Sequence, residues 1–210
     1  LASPGPSRRL RHDTEQADRD RARLLTIVSE GTHVRPEAWL ATLNDKTLLF
    51  SPSGRSVLSY KIRGRRWIAM GEPAGDPDET LDLMWRFAEL ADSYGGAAVF
   101  YSVGTERLPD LASMGMTVGK VGEVARVDPA RFTLEGKSRQ NLRTAINRCE
   151  REGARFEVVK PGSAHRLAHD LRTVSDDWRA AHSGAEKGFS LGWFDLDYLD
   201  LFPLALVWQG

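Results

Sequence analysis

The chain has 210 residues, 41% hydrophobic and 28% charged, with 29 Lys and Arg balanced by 29 Asp and Glu. That composition excludes a disordered chain, and zero net charge does not imply a general polyanion-binding surface, so any charge argument has to be local. One cysteine, Cys149, excludes an intramolecular disulfide and a cysteine-based metal site, as suits a reducing compartment, and no apolar run reaches the roughly 18 to 20 residues of a membrane helix.

Residues 1–12, LASPGPSRRLRH, mix Pro, Gly and Ser with three arginines and read as a linker, of the kind expected behind a membrane segment. From Asp13 the composition turns helical, with Ala22, Leu25, Val28 and, as a further candidate, Ile27 forming an apolar stripe that ends near Gly31. In KTLLFSPSGRSVLSYKIRGRRWIAMGEPAG, Ser-Pro-Ser-Gly and Arg-Gly-Arg-Arg separate three short apolar runs, which predicts a meander of three antiparallel strands. A helix follows: Asp76 and Pro77 open it, Leu83, Met84, Phe87, Leu90 and Ala91 share one side, and Gly95-Gly96 stop it. AAVFYSV is then expected as a buried strand, residues 105–114 as a short helix, and MTVGKVGEVARV as another strand.

The order partly restarts with a helix at 138–152, a strand RFEVV, a helix at 164–182, a loop with a short helix up to 200, and a strand PLALVW. This predicts an α+β protein of two related units with mixed, largely antiparallel sheets, residues 13–128 and 129–210, the second incomplete.

LEGKSRQNLRTAINRCEREG, residues 134–153, opens the most basic part of the chain. From Lys137 to Arg155 six basic residues face only Glu150 and Glu152. On a helix, Leu142, Ile146 and Cys149 would pack inward, while Arg139, Arg143 and Arg151 follow one another on another side. Guanidinium forks suit phosphate oxygens, so the ridge reads either as a grip on nucleic acid or lipid headgroups or as a plain solvated face.

Lys120 and Glu123 sit within the expected strand MTVGKVGEVARV, where Gly119 and Gly122 would admit a bulge. Opposite charges in an apolar strand are costly unless paired or used, although charges on an edge strand also block aggregation. AEKGFSLGWFD, residues 185–195, sets Gly188 and Gly192 among Phe189, Trp193 and Phe194. Such a loop approaches a ligand closely or is simply anchored by its aromatic rings. His165 and His169 have Arg166 where the zinc motif H-E-x-x-H needs Glu, so no metal is expected, and GEPAG and SPSGR read as turns.

Together, LLFSPSGRSVLSYKIRGRRWIAMGEPAG, GKVGEVARVD, LEGKSRQNLRTAINRCEREG and EKGFSLGWFD resemble the cytoplasmic C-terminal domain of the bacterial phosphatidylglycerol lysyltransferases, the multiple peptide resistance factor family. The resemblance implies two tandem acyltransferase-like (GNAT-type) units behind a multi-helix membrane domain, at the cytoplasmic face of the cell membrane. It implies transfer of a lysyl, in some members alanyl, group from aminoacyl-tRNA to a glycerol hydroxyl of phosphatidylglycerol, without metal or cofactor, giving resistance to cationic antimicrobial peptides. The family's Lys-x-Gly-Glu pattern falls on Lys120 and Glu123, which makes them the expected catalytic pair. Lys137, Arg139, Arg143 and Arg151, with Glu186, Lys187, Gly188 and Phe189 of the glycine-aromatic loop, are the expected substrate-binding residues. A family segment of the type Asp-Leu-Met-Arg-Tyr is expected downstream of residue 210. Rival readings are a related transferase acting on peptidoglycan precursors, an acyl-CoA acetyltransferase, for which no Gly-rich pyrophosphate loop is found, and a non-catalytic tRNA- or lipid-binding module.

Overall fold

A computed structural model describes residues 14–182 and 188–209. By contact the chain divides into two units, Leu1–Lys120 with Ala185–Trp193, and Val121–Gly184 with Phe194–Gly210. The division falls at Lys120, ahead of the sequence-based boundary at 128, and a later stretch returns to the first unit. Both units combine helices with sheet, and parallel and antiparallel pairing both occur, so the protein is α+β as expected. Among the described residues no helix is long and apolar enough to cross a membrane.

In the first unit, helix α1 (Thr14–Glu30) leads through a 3-10 segment (Pro36–Leu43) into strands β1 (Thr47–Phe50), β2 (Val57–Arg63) and β3 (Arg66–Met70). Helix α2 (Thr80–Ser93), strand β4 (Ala97–Tyr101) and the short helix α3 (Leu108–Ser113) follow. The order is β1-β2-β3-β4, antiparallel except for β4, which α2 returns parallel to β3. The predicted meander is therefore present. Its sides follow from strand alternation. Leu58, Tyr60, Trp67 and Ala69 face Leu83, Phe87 and Ala91 of α2, with Tyr60 stacked on Trp67 at 5.3 Å. Val57, Leu48 and Phe50 meet Leu24, Ile27 and Val28 of α1 on the other side. Burial of Phe87, which has no exposure, contributes about 2–3 kcal/mol.

Three expectations change in this unit. The buried stripe of α1 is Leu24, Ile27 and Val28, so Ile27 and Val28 are placed as expected while Leu24 takes the position expected of Leu25 and Ala22 is exposed, because Leu24, Ile27 and Val28 share the helix side at i, i+3 and i+4 that meets the sheet. β4 is not buried, since it borders the sheet and its Val99 and Tyr101 side stays exposed. MTVGKVGEVARV forms no strand: residues 116–128 carry no regular structure and are mostly exposed. The reason is visible in its spacing, for Val118, Val121, Val124 and Val127 recur every third residue, and a strand of period two would scatter them over both faces.

The second unit holds α4 (Gln140–Arg151), β5 (Arg155–Val159), α5 (Ala168–His182), α6 (Leu196–Leu199) and β6 (Leu204–Trp208). β5 and β6 form an antiparallel ribbon with Arg155 opposite Trp208. Asp200 ties the unit together by accepting from the Ala164 amide at 2.6 Å, while its carbonyl accepts from Gly162 at 2.8 Å. Among its described residues only Val159 and Ala164 are buried.

Candidate functional site

Asn44, in the left-handed conformation at φ 57, ends the 3-10 segment and delivers Asp45 and Lys46 to the start of β1. The Lys46 side chain has no solvent exposure. Its ammonium donates to Asp45 Oδ1 at 2.6 Å and to the Leu40 carbonyl at 3.1 Å, while Lys61 donates to Asp45 Oδ2 at 2.5 Å. Burial pulls Lys46 below the ordinary lysine range, against the pull of Asp45. Burial acts to raise Asp45, and the bonds and charges of Lys46 and Lys61 together outweigh it, so its carboxyl titrates below the ordinary value.

The glycine-aromatic loop is seated on this pair. Gly188 and Gly192 bridge each other, and the Phe189 ring lies 5.5 Å from Lys46 Nζ and 6.4 Å from the ring of Tyr101. At Gly192, φ 72, a Cβ would come within 2.9 Å of Leu43 and 3.4 Å of Leu40, so only glycine lets the loop lie this close. Of the expected binding residues in this loop, Gly188 and Phe189 are thus placed, whereas Glu186 and Lys187 lie outside the described residues.

GEPAG is more than a turn. Glu72 in it has a side chain only 1% exposed. Arg35 Nη1 lies 3.2 Å from Oε1, and His33 Nε2 and Arg107 Nε lie 3.1 Å from Oε2. Arg35 also reaches Glu106 at 3.3 Å, and Arg107 reaches Asp110 at 2.9 Å. Sequence reasoning missed this cluster because its members are far apart along the chain. A second carboxylate, Glu79, accepts from Ser53 and, at 2.7 Å, from Ser56. The Ser53 bond foremost, then Ser56, lowers its pKa to about 2.

In the second unit the basic ridge is present, but its members are used differently. Lys137 and Arg139 belong to a 3-10 turn ahead of α4, and the Arg139 guanidinium lies 5.0 Å over the Phe132 ring. Arg143 Nη1 donates to the carbonyls of Leu134 and, at 2.8 Å, Gly136, which fastens the approach to the helix. Arg151, bonded to the Asn147 carbonyl at 3.2 Å, borders a shallow open groove with Thr144, Asn147 and Glu150. Leu142 and Ile146 do not pack inward as expected and stay 42% and 40% exposed, because no described residue buries that side of α4.

Lys120 closes the first unit and Glu123 belongs to the second, both exposed on the irregular segment, where nothing lies within 4 Å of a Cβ placed at Gly119 or Gly122. Among the described residues no group of three or more His, Cys, Asp or Glu converges to hold a metal ion.

Residues 26–210 match the family described as phosphatidylglycerol lysyltransferase, C-terminal. The phosphatidylglycerol lysyltransferase of Bacillus subtilis is 35% identical over 168 residues, 80% of this chain and 19% of that protein. That of Staphylococcus xylosus is 29% identical over 163 residues, 78% of this chain and again 19% of the relative. The chain thus spans about a fifth of the length of these relatives. Among solved structures, the C-terminal domain of a lysylphosphatidylglycerol synthetase from Agrobacterium fabrum superimposes with a TM-score of 0.84 at 37% identity, covering 91% of this chain and 60% of that one. L-PGS from Bacillus licheniformis superimposes with a TM-score of 0.83 at 34% identity, covering 90% of this chain and 59% of that one.

Proposed function

The chain belongs to the phosphatidylglycerol lysyltransferase C-terminal family, and on that premise we propose that it is part of an enzyme that moves an aminoacyl group from tRNA to phosphatidylglycerol. The observation that carries the proposal is the match along residues 26–210 together with 37% identity to a solved lysylphosphatidylglycerol synthetase domain. The glycerol hydroxyl of the lipid attacks the aminoacyl ester. A new carbon–oxygen bond forms to the lipid, the ester bond to the tRNA ribose breaks, and the hydroxyl proton passes to the ribose oxygen. Such a reaction needs its substrates held in line, a group to take the proton, and donors for the developing oxyanion.

Lys120 and Glu123 are proposed for the last two tasks. Both are exposed beside glycines with open space, so a substrate can approach them. Glu123 accepts the proton and Lys120 offsets negative charge. Lys137, Arg139, Arg143 and Arg151 contact phosphates of the tRNA or of the headgroup, which positions a substrate without reading its sequence. The two units are proposed as tandem GNAT-like folds, and the enzyme works at the cytoplasmic face of the membrane. Its product carries added positive charge and so weakens binding of cationic antimicrobial peptides. Lysyl is the favoured donor group, alanyl the alternative.

The test mixes the longer protein with phosphatidylglycerol vesicles and tRNA charged with labelled lysine or, separately, alanine. Label entering the lipid with one of them establishes the transferase and names its donor. Binding of tRNA without transfer to lipid replaces the proposal by the binding-module reading.

A further inference from the structure

The turn between β2 and β3 carries Arg63, Arg65 and Arg66 within four residues of a chain whose net charge is zero. Arg63 and Arg66 are register partners, so two like charges stand directly opposite each other, a destabilising arrangement. Among the described residues none of the three arginines has a carboxylate partner. Protection of a sheet edge accounts for Arg63 alone, which lies past the β1 pairing that ends at Tyr60, and not for Arg66, which is flanked by β4 at Ala97.

The tip is also firmly held. Gly64, φ 58, takes the first central position of a two-residue turn, the place for glycine in a type II′ hairpin. Arg65 Nε donates to the Gly95 carbonyl at 2.9 Å, and the Ala97 amide donates to the Arg65 carbonyl at 2.8 Å. Next to Gly95, Tyr94 rests its ring 5.5 Å from that of Trp67 yet is 66% exposed. Strand alternation puts Arg63 and Arg66 on one side of the sheet and Trp67, with Tyr94, on the other. Cations and an amphipathic ring thus flank both sides of the hairpin end. One nucleic-acid strand would follow one side, whereas a flat anionic surface meets both.

We propose that this hairpin tip docks on an anionic lipid bilayer, with the arginines at the phosphates and Tyr94 at the headgroup level. The proposal rests on the lipid-directed function above, because an enzyme that draws a lipid from a bilayer needs to sit on one.

The test sediments the chain with vesicles containing about one-third phosphatidylglycerol, about one-third phosphatidylserine, or neutral phosphatidylcholine only, at roughly 0.1 M salt. Binding is expected on both anionic vesicles alike and not on the neutral ones. Arg63→Gln with Arg66→Gln lowers the partition coefficient about thirtyfold, at about 1 kcal/mol per basic residue, and leaves the melting temperature no lower, since repulsion is relieved. The same charge change at Arg166 and Arg179 leaves vesicle binding within about twofold of the parent chain. Unchanged binding in the hairpin variant, binding confined to phosphatidylglycerol, or loss of tRNA binding in that variant overturns the proposal. Transfer to phosphatidylglycerol in detergent reports separately on the enzyme. The hairpin variant of the longer protein retains it, whereas absence of transfer by the unsubstituted longer protein in detergent, with its vesicle binding intact, counts against the function and not against the docking.

Discussion

The buried ammonium of Lys46 lies 5.5 Å from the centre of the Phe189 ring, which joins the start of β1 to a loop that follows α5 in the sequence. Lys46→Met keeps the apolar stem but loses the bonds to Asp45 and Leu40, while Lys61 still compensates Asp45. A destabilisation of about 2 kcal/mol is expected in urea unfolding. Its pH dependence has a definite sign. The folded pKa of Lys46 lies below 10.5, so the folded chain gives up that proton before the unfolded one, and the wild type gains on Lys46→Met as pH rises from neutral toward 10.5. A difference that shrinks instead would remove burial as the dominant influence on this lysine.

Glu72→Ala leaves Arg35 and Arg107 without the carboxylate between them. Breaking a buried ion cluster at one member costs about 3–5 kcal/mol, far above an exposed substitution. A midpoint shift smaller than that of Lys46→Met would show the cluster to be solvated. Thermal and urea unfolding of the two variants side by side decide it.

Glu79 is an acid-limb residue. Its folded pKa of about 2 lies below the ordinary 4.5, so the stability it contributes is fully present above pH 4.5 and is lost as pH falls toward 2. Ser53→Ala and Ser56→Ala each raise this pKa, seen by carboxyl NMR titration, and Glu79→Gln flattens the acid limb between those values. An unchanged titration in both serine variants would contradict the assigned cause.

Lys120→Ala and Glu123→Ala in the longer protein are expected to lower lipid aminoacylation by roughly 10²–10⁴-fold. Both residues are exposed on an irregular segment, so unfolding midpoints stay within about 0.5 kcal/mol of the parent. Turnover at the wild-type level in both variants would exclude this pair from the chemistry.

The elements whose signals are local were legible in the sequence. Asp76 accepts from the Asp78 amide at 3.0 Å ahead of α2, and Gly95 closes that helix at φ 65, as their residue types foretold. β5 occupies the five residues of RFEVV. What escaped depends on distance along the chain. Nothing near Glu72 announces that His33, Arg35 and Arg107 converge on it, and nothing in AEKGFSLGWFD announces Lys46 as the support of Phe189. The segment 116–128 misled for another reason: its β-branched residues suit a strand, yet their three-residue spacing offers a sheet no apolar side. In the basic helix the residue types were read correctly, but the use of Arg143 to hold Leu134 and Gly136 follows from the turn that precedes the helix, not from the ridge.

The first unit takes in residues 185–193 from beyond most of the second, so it has no counterpart as an uninterrupted length of gene. A fragment that stopped at Lys120 would encode all four strands of its sheet and both its long helices, yet lack the ring that covers Lys46 and the glycine that rests on Leu40 and Leu43. Its missing part could be supplied in trans as a short peptide spanning the loop. Recovery of the parent unfolding midpoint on adding that peptide would make the two halves a complementation pair, a ready-made split reporter for whatever brings the ends of this chain together.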